Sequence, residues 1–351
     1  MKPLGLTINA QYTKRVDYIY DAGGQAITNI HTNETFPIKQ QIGSGSFGSV
    51  FETSGNRIVK SLNKLEPGSW RHLQEEVTLQ TKLHERDPDV CPRIYEHGIT
   101  ENGEAIVIME KYVDIAGKVL KDFTKLTDRS NYIIYMLDYM YSIASILQRL
   151  EKYQFNHRDL KSDNIMYKLD KKNQIQYVLI DFGFSCATFD GVKYQGTSYY
   201  PPTTECFRRS RDLTMMVYEL LRYATDPEFR KFLQLLLTFT YNGKRCDMSQ
   251  RCEPDFKNWA TIYQFTNNVE NPNLTPEGLM SAIEVFANKG LEGCKSGFVV
   301  HPVENTCVAE PPLPSQDALT VPMSPKQHML NPVPAAKGGK RKTRKQKRTV
   351  G

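Results

Sequence analysis

The sequence predicts an α+β protein with two lobes, a mainly β N-lobe that contains one helix and a mainly α C-lobe. Three observations support this prediction. Strand-like patterns fill residues 38–109 with one helical interruption, helical spacing dominates residues 128–287, and the composition changes beyond residue 297. With 351 residues, 40% of them apolar, the chain can bury a large core.

The N-lobe is predicted over residues 37–112. It follows an N-terminal extension at 1–36, in which short apolar alternations and turn signals define no clear element. Strand patterns occur in three runs, namely IKQQIGSGSFGSVFE, NRIVKSL and EAIVIMEKY. One helical pattern near residues 68–83 separates the second run from the third.

The C-lobe is predicted over residues 113–296. Apolar residues recur at helical spacing across 128–153 and predict a long amphipathic helix. The alternating runs IMYKL and QIQYVLID then predict a hairpin around a turn at 170–173. Further helical patterns lie at 212–223, 227–238 and 276–287.

The C-terminal part is predicted to be a proline-rich disordered linker at 297–336 and a basic tail at 337–351. The tail holds eight Lys or Arg and no acid, which leaves 37 basic against 39 acidic residues in the rest of the chain. Residues 337–348 could therefore bind a polyanion or nucleic acid. The sequence favours a solvated tail or a nuclear localisation signal, with nucleic-acid or particle association as the alternative.

The spacing of the cysteines and the hydropathy of the sequence indicate the cellular compartment. The seven cysteines are scattered and form no C-x-x-C pair, which favours reduced thiols over disulfides or a zinc site. No signal-peptide pattern and no membrane-length apolar run of about 20 residues occurs. We expect a soluble intracellular protein, cytoplasmic or nuclear, without a membrane partner.

A glycine-rich run occupies residues 43–50, with Gly43, Gly45 and Gly48 followed by Val50. Glycines allow a backbone to approach phosphate groups closely. This run lacks the Lys-Ser/Thr ending of a Walker loop and leads into a strand, so a dinucleotide fold is disfavoured. Taken alone, the run also fits an ordinary glycine turn.

Lys60 ends an apolar strand twelve residues after Gly48. A strand lysine that faces a phosphate site needs an acid to hold its flexible side chain. Glu75 and Glu76 on the following helix both offer a carboxylate. A lone strand lysine can also be a simple surface charge.

Two further motifs lie in the C-lobe, His157-Arg158-Asp159-Leu160-Lys161-Ser162-Asp163-Asn164 and Asp181-Phe182-Gly183. Asp159, Asn164 and Asp181 supply the hard oxygen ligands that magnesium requires. Lys161 can neutralise charge on a transferring phosphoryl group. The spacing of these motifs, with the glycine run and the lysine upstream in order, makes a chance combination improbable.

These residues resemble the eukaryotic-type protein kinases over residues 38–290. The resemblance implies a bilobal kinase-like fold with ATP between the lobes and magnesium as the metal. It implies that Asp159 is the catalytic base, that Lys161 contacts the γ-phosphate, and that Lys60 pairs with Glu76. The implied metal ligands are Asn164 and Asp181.

The resemblance also implies a nucleotide site. The glycines cover the phosphates, backbone groups of Glu110 and Tyr112 bind adenine, and apolar side chains enclose its ring. The full set is Ile42, Gly43, Gly45, Gly48, Val50, Ile58, Lys60, Glu110, Tyr112 and Met166.

Residues near the substrate resemble the serine/threonine branch, since Lys161 follows Asp159 by two positions. Thr197 resembles the threonine that hydrogen-bonds Asp159 and Lys161. The segment that follows Asp181 and contains Thr197 departs from the family at its end, where Pro202-Thr203-Thr204-Glu205 replaces Ala-Pro-Glu. Lys193 occupies a position that often carries a phosphorylated threonine, so we expect no need for an activating phosphate.

The implied function is Mg-dependent phosphorylation of Ser or Thr in protein substrates. The main alternatives are a pseudokinase scaffold, a small-molecule kinase of the aminoglycoside type, and a polyanion-binding protein that uses its basic tail. The tail also resembles those on proteins of large DNA viruses, which would place the protein in a host cell or virion.

Overall fold

The computed structural model describes residues 16–45, 48–62, 69–170, 174–195, 206–241, 244–247, 274–290, 298–300 and 307–309. Over these residues the protein has the predicted α+β class, with a sheet-rich N-lobe and a helical C-lobe. The predicted two-lobed fold is therefore confirmed. The boundaries assigned from composition remain predictions.

A three-stranded antiparallel sheet precedes the N-lobe, with β1 (Tyr18–Tyr20), β2 (Ala26–Asn29) and β3 (Thr35–Pro37) in sequential order. Its strands are too short to stand out in the sequence pattern. Tyr18, Ile27 and Phe36 are buried and pack against apolar side chains of the next sheet. The predicted extension at 1–36 thus contains an ordered element that the sequence did not reveal.

The main N-lobe sheet has five antiparallel strands in the order β4-β5-β6-β8-β7. These are β4 (Gln41–Gly45), β5 (Gly48–Glu52), β6 (Arg57–Leu62), β7 (Ile94–Ile99) and β8 (Ala105–Glu110). Helix α1 (Ser69–Arg86) lies between β6 and β7 in sequence.

Both faces of this sheet are covered. Val59, Ile106 and Ile108 pack against the three-stranded sheet, whereas Ala105 and Val107 face the cluster that includes α1 residues. This double burial explains why β8 is continuously apolar, since an alternating pattern is expected only for a strand with one solvated face.

The C-lobe is built on helices. These are α2 (Ala116–Phe123), α3 (Arg129–Leu150), α4 (Arg211–Leu220), α5 (Pro227–Leu236) and α6 (Pro276–Lys289). The predicted long helix starts where Asp128 accepts hydrogen bonds from the backbone N–H groups of Ser130 and Asn131. One large apolar core joins these helices.

The predicted hairpin is present as β10 (Ile165–Leu169) and β11 (Ile175–Leu179). A short strand, β9 (Asp114–Ile115), pairs with β10 on its other edge. Three further antiparallel hairpins follow that the sequence analysis did not predict. Their strands are β12 (Cys186–Phe189), β13 (Val192–Gln195), β14 (Thr238–Tyr241), β15 (Lys244–Asp247), β16 (Phe298–Val300) and β17 (Cys307–Ala309).

Two predictions need correction at these hairpins. The linker at 297–336 was expected to be disordered, yet β16 and β17 pair within it. Proline content, most of it beyond residue 310, masked the short apolar strands before it. The helix expected to reach residue 238 ends at Leu236, because β14 begins at Thr238.

A disulfide joins Cys186 at the start of β12 to Cys206. The expectation that the cysteines are reduced thiols is wrong for this pair. The two residues are 20 positions apart in sequence, and only the return of the chain toward β12 brings them together. Cys91, in contrast, is a free thiol buried in the core.

Within the part of the chain that the structure describes, every helix is too short or too polar to cross a lipid bilayer.

Candidate active site

Asp159 lies in the loop between α3 and β10 and is fully buried. Both of its carboxylate oxygens accept hydrogen bonds from Lys161 Nζ, at 3.1 and 2.9 Å. Asn164 Nδ2 donates to the Asp159 carbonyl at 2.8 Å and to Oδ2 at 2.9 Å. The three side chains therefore form one connected group, in which an ammonium ion offsets the charge of a buried carboxylate.

Asp212 at the start of α4 holds the preceding part of this loop. Its carboxylate accepts hydrogen bonds from the backbone N–H of His157 at 2.6 Å and of Arg158 at 2.8 Å, and from Asn156 Nδ2 at 3.0 Å. Buried backbone N–H groups need such partners. Asp212 therefore fixes the backbone of this loop at residues 157 and 158.

Two residues of the candidate site have a left-handed backbone conformation. Arg158 and Asp181 adopt φ values of 64° and 65°, in the left-handed region that residues other than Gly and Asn rarely occupy. Such conformations persist where surrounding contacts enforce them, often at functional sites. For Arg158, the hydrogen bond that its own backbone N–H donates to Asp212 is one such contact.

Asn164 and Asp181 lie near each other because β10 and β11 pair from Ile165 and Leu179 onward. The backbone N–H of Ile180, the residue before Asp181, donates to the Asn164 carbonyl at 3.0 Å. Both Asn164 amide hydrogens have partners on Asp159, so its side-chain oxygen is the atom that could bind a metal. An amide oxygen with a carboxylate fits the ligand preference of magnesium.

Lys60 and Glu76 face each other between β6 and α1, with Nζ 3.8 Å from Oε1. Glu76 is therefore the acid of α1 that lies beside Lys60. Both side chains are partly exposed, so this contact orients the lysine more than it stabilises the fold.

Gly48 is required where β5 meets β6. Its φ is 158°, and a Cβ atom there would lie 2.0 Å from the carbonyl oxygen of Ser61. Any side chain would force the two strands apart. Gly43 and Gly45 lie on the facing strand β4.

Two of the residues implied to enclose an adenine ring, Val50 and Ile58, lie on one face of the N-lobe sheet. Val50 is directly opposite Lys60 in the β5–β6 ladder, and Ile58 is two residues from Lys60, so all three side chains share a face. Met166 lies in β10 and pairs with Ile115. Ile42 on β4 is exposed.

The segment from Glu110 to Val113 connects the lobes. Lys111 N–H donates to the Asn56 carbonyl, and Val113 N–H donates to the Tyr167 carbonyl. Tyr112 is buried, with its hydroxyl 3.4 Å from Glu110 Oε2. Bonds to both lobes therefore fix the chain on either side of Tyr112.

Two sequence predictions concern the segment after Asp181. Thr197 lies outside the described residues. Lys193 lies in β13 and is exposed. Arg158 is buried, and its Nη2 atom lies 3.5 Å from the Cys206 carbonyl oxygen.

Sequence reasoning missed the pair Ser162 and Glu219. Ser162 donates from its backbone N–H and its hydroxyl to the two oxygens of Glu219 on α4, and both residues are buried. Burial raises the pKa of Glu219 to about 7. The available signal was an acid between apolar residues in a helix that is otherwise core-forming.

Comparisons with known proteins bear on the family of the chain. A family model described as the protein kinase domain matches residues 36–209, about half of the chain. A probable serine/threonine-protein kinase of Dictyostelium discoideum, fnkE, is 26% identical over 177 residues, covering 47% of this chain and 13% of that protein. Calcium-dependent protein kinase 5 of Plasmodium falciparum is 26% identical over 170 residues, covering 46% of this chain and 28% of that protein.

This chain therefore matches less than a third of the length of those relatives. Among solved structures, vaccinia related kinase 3 aligns with 76% of this chain and 90% of its own, at 14% identity and a TM-score of 0.45.

Proposed function

Because the chain belongs to the protein kinase family, we propose that it transfers the γ-phosphate of ATP to serine or threonine hydroxyls of proteins. The observation that carries the proposal is the buried contact of Asp159 with both Lys161 and Asn164. These are the groups needed to accept a proton and to offset developing negative charge.

The chemistry is divided between neighbouring side chains. Asp159 orients the substrate hydroxyl and accepts its proton as the oxygen attacks phosphorus. Lys161, already bonded to Asp159, offsets negative charge on the transferring group. Because both are buried in the free protein, neither pays a large reorganisation cost when the substrate arrives.

The nucleotide is held mainly from the N-lobe. Lys60 contacts the α- and β-phosphates while Glu76 restrains its side chain. Gly43, Gly45 and Gly48 let the β4–β5 turn cover the phosphates. The adenine ring lies between the apolar side chains of the sheet face and Met166, with backbone groups of Glu110 and Tyr112 as partners.

Asn164 and Asp181 would hold magnesium. When bound, the metal supplies positive charge that offsets the phosphate oxygens. The fit rests on their oxygen donors and on the β10–β11 pairing that brings their backbones together.

An active enzyme is favoured over a pseudokinase because Lys60, Asp159 and Asp181 are all present. The serine/threonine specificity rests on Lys161 two positions after Asp159. A small-molecule kinase is less well supported, since such enzymes more often carry Asp-x-Asp in place of Asp181-Phe182-Gly183.

A phosphotransfer assay with radiolabelled ATP and generic protein substrates tests the proposal. We expect Asp159→Asn to lower kcat about 10²–10⁴-fold, because the base is lost, while magnesium-nucleotide binding persists. Asp181→Ala should instead weaken magnesium-nucleotide binding. The matched control is Asp89→Asn, an exposed residue whose amide could still accept from Gln176. A wild-type rate no higher than that of Asp159→Asn would refute the proposal.

Polyanion binding is a second candidate function, favoured by the eight basic residues in 337–351. If all eight engage duplex DNA, the log-affinity against log-salt slope should be roughly −7. Deletion of 337–351 should abolish this binding and leave phosphotransfer unchanged. Salt-independent binding, or binding that survives the deletion, would contradict it. An intracellular or virion location and a viral source remain predictions.

A further inference from the structure

A buried acid, Glu219, contacts the loop between α3 and β10 that carries Asp159, and it has no part in the chemistry proposed above. Glu219 is on α4, seven residues after Asp212, and only 3% of its surface is exposed. Its Oε2 accepts from the backbone N–H of Ser162 at 2.5 Å, and its Oε1 accepts from the Ser162 hydroxyl at 2.7 Å. A buried carboxylate is costly unless its oxygens are hydrogen-bonded, so both contacts constrain Ser162 strongly.

Ser162 occupies a central place in the loop. It follows Lys161, and it begins a short 3₁₀ turn that ends at Asn164. The Asn164 N–H closes this turn on the Lys161 carbonyl at 2.8 Å. Holding Ser162 therefore sets where Lys161 and Asn164 lie relative to each other and to Asp159.

The surroundings of Ser162 are closely packed. Its hydroxyl is also 3.1 Å from the Tyr223 hydroxyl. Gly117 in the first turn of α2 approaches so closely that a Cβ atom there would lie 3.0 Å from the Ser162 hydroxyl. Helices α2 and α4 thus enclose Ser162 from two sides.

We propose that Glu219 is a positioning residue of the phosphotransfer site, which acts through Ser162 to fix the geometry of Lys161 and Asn164. This inference rests on the proposed kinase function. Helix α4 then supports the loop at two points about two helical turns apart. Asp212 holds residues 156–158, and Glu219 holds Ser162.

Steady-state kinetics of Glu219→Ala, Ser162→Ala and the double variant test this role. Loss of two buried hydrogen bonds should lower kcat roughly 10- to 100-fold in Glu219→Ala, and about tenfold in Ser162→Ala. KM for ATP should change less than kcat does, because the adenine contacts and the contact of Lys60 with the α- and β-phosphates lie outside residues 156–164. The double variant should be little worse than Glu219→Ala, as expected for two residues that act through one contact.

Two further variants separate positioning from general destabilisation. Glu219→Gln keeps one acceptor oxygen and should retain most of the wild-type kcat. Leu220→Ala, in the adjacent core position, should lower the melting temperature without lowering kcat at 20 °C.

A folded Glu219→Ala with wild-type kcat, or an equal loss of kcat in Leu220→Ala, overturns the positioning role. If Glu219→Ala does not fold, unchanged kcat in Ser162→Ala overturns it. A wild-type protein that transfers no phosphate refutes the proposed function itself, and the role of Glu219 falls with it.

Discussion

Replacing Glu219 by glutamine should change how stability depends on pH. Burial raises the pKa of Glu219 from 4.5 to about 7 in the folded protein. Between these values the folded state keeps a proton that the unfolded state releases, so the free energy of unfolding falls as pH rises. The stabilising effect is fully present below pH 4.5 and is lost by about pH 7.

The shift sets the expected magnitude. A rise of roughly 2.5 pKa units corresponds to about 3 kcal/mol of stability lost between the two pH values, at about 1.4 kcal/mol per unit. Glutamine cannot ionise and approximates the protonated side chain. The variant should therefore gain about 3 kcal/mol relative to the wild type between pH 4.5 and 7, with no further gain above pH 8.

Urea unfolding of both proteins at several pH values from 4.5 to 8.5 provides the measurement. Other titrating groups are common to both proteins and cancel in the difference. A stability difference that does not vary with pH would show that Glu219 titrates normally, and a difference that grows as pH falls would reverse the reasoning.

The remaining predictions concern the N-terminal sheet and the disulfide. Phe36→Ala should destabilise the fold by about 3–5 kcal/mol because the ring is buried between two sheets. Ile19, on the same sheet, is 44% exposed, so Ile19→Ala should have little effect. Equal melting temperatures for the two variants would show that the sheet does not belong to the N-lobe. Cys206→Ser should lower stability by about 3 kcal/mol under non-reducing conditions, from the entropy of closing a loop of this length. Alkylation of the unfolded wild type should label at least two fewer thiols without reductant than with it, and equal labelling would contradict the disulfide.

Several elements could be predicted from the sequence because their signals are local. The long helix at 129–150 has a helical apolar repeat and an N-cap at Asp128, and the β10–β11 hairpin has alternating strands around a turn. The Lys60, Asp159 and Asp181 motifs were visible because their residue types and spacing are tied to the chemistry.

Other features could not be predicted because they depend on distant partners. The strands at 18–37 are short and become stable only against Val59 and Ile106. The cysteine spacing gave no hint of the bond between Cys186 and Cys206, since chain folding alone brings them together. The two candidate acids for Lys60 were adjacent in sequence, and the position of α1 brings Glu76 to the lysine.

By itself, the sequence determined the fold class, the order of the main elements and the residue types of the site, because periodicity and motif spacing are properties of the local chain. Only the tertiary structure decided which buried groups meet. The contact between Ser162 and Glu219 joins residues 57 positions apart, and such contacts follow from how whole helices pack, which no local pattern encodes.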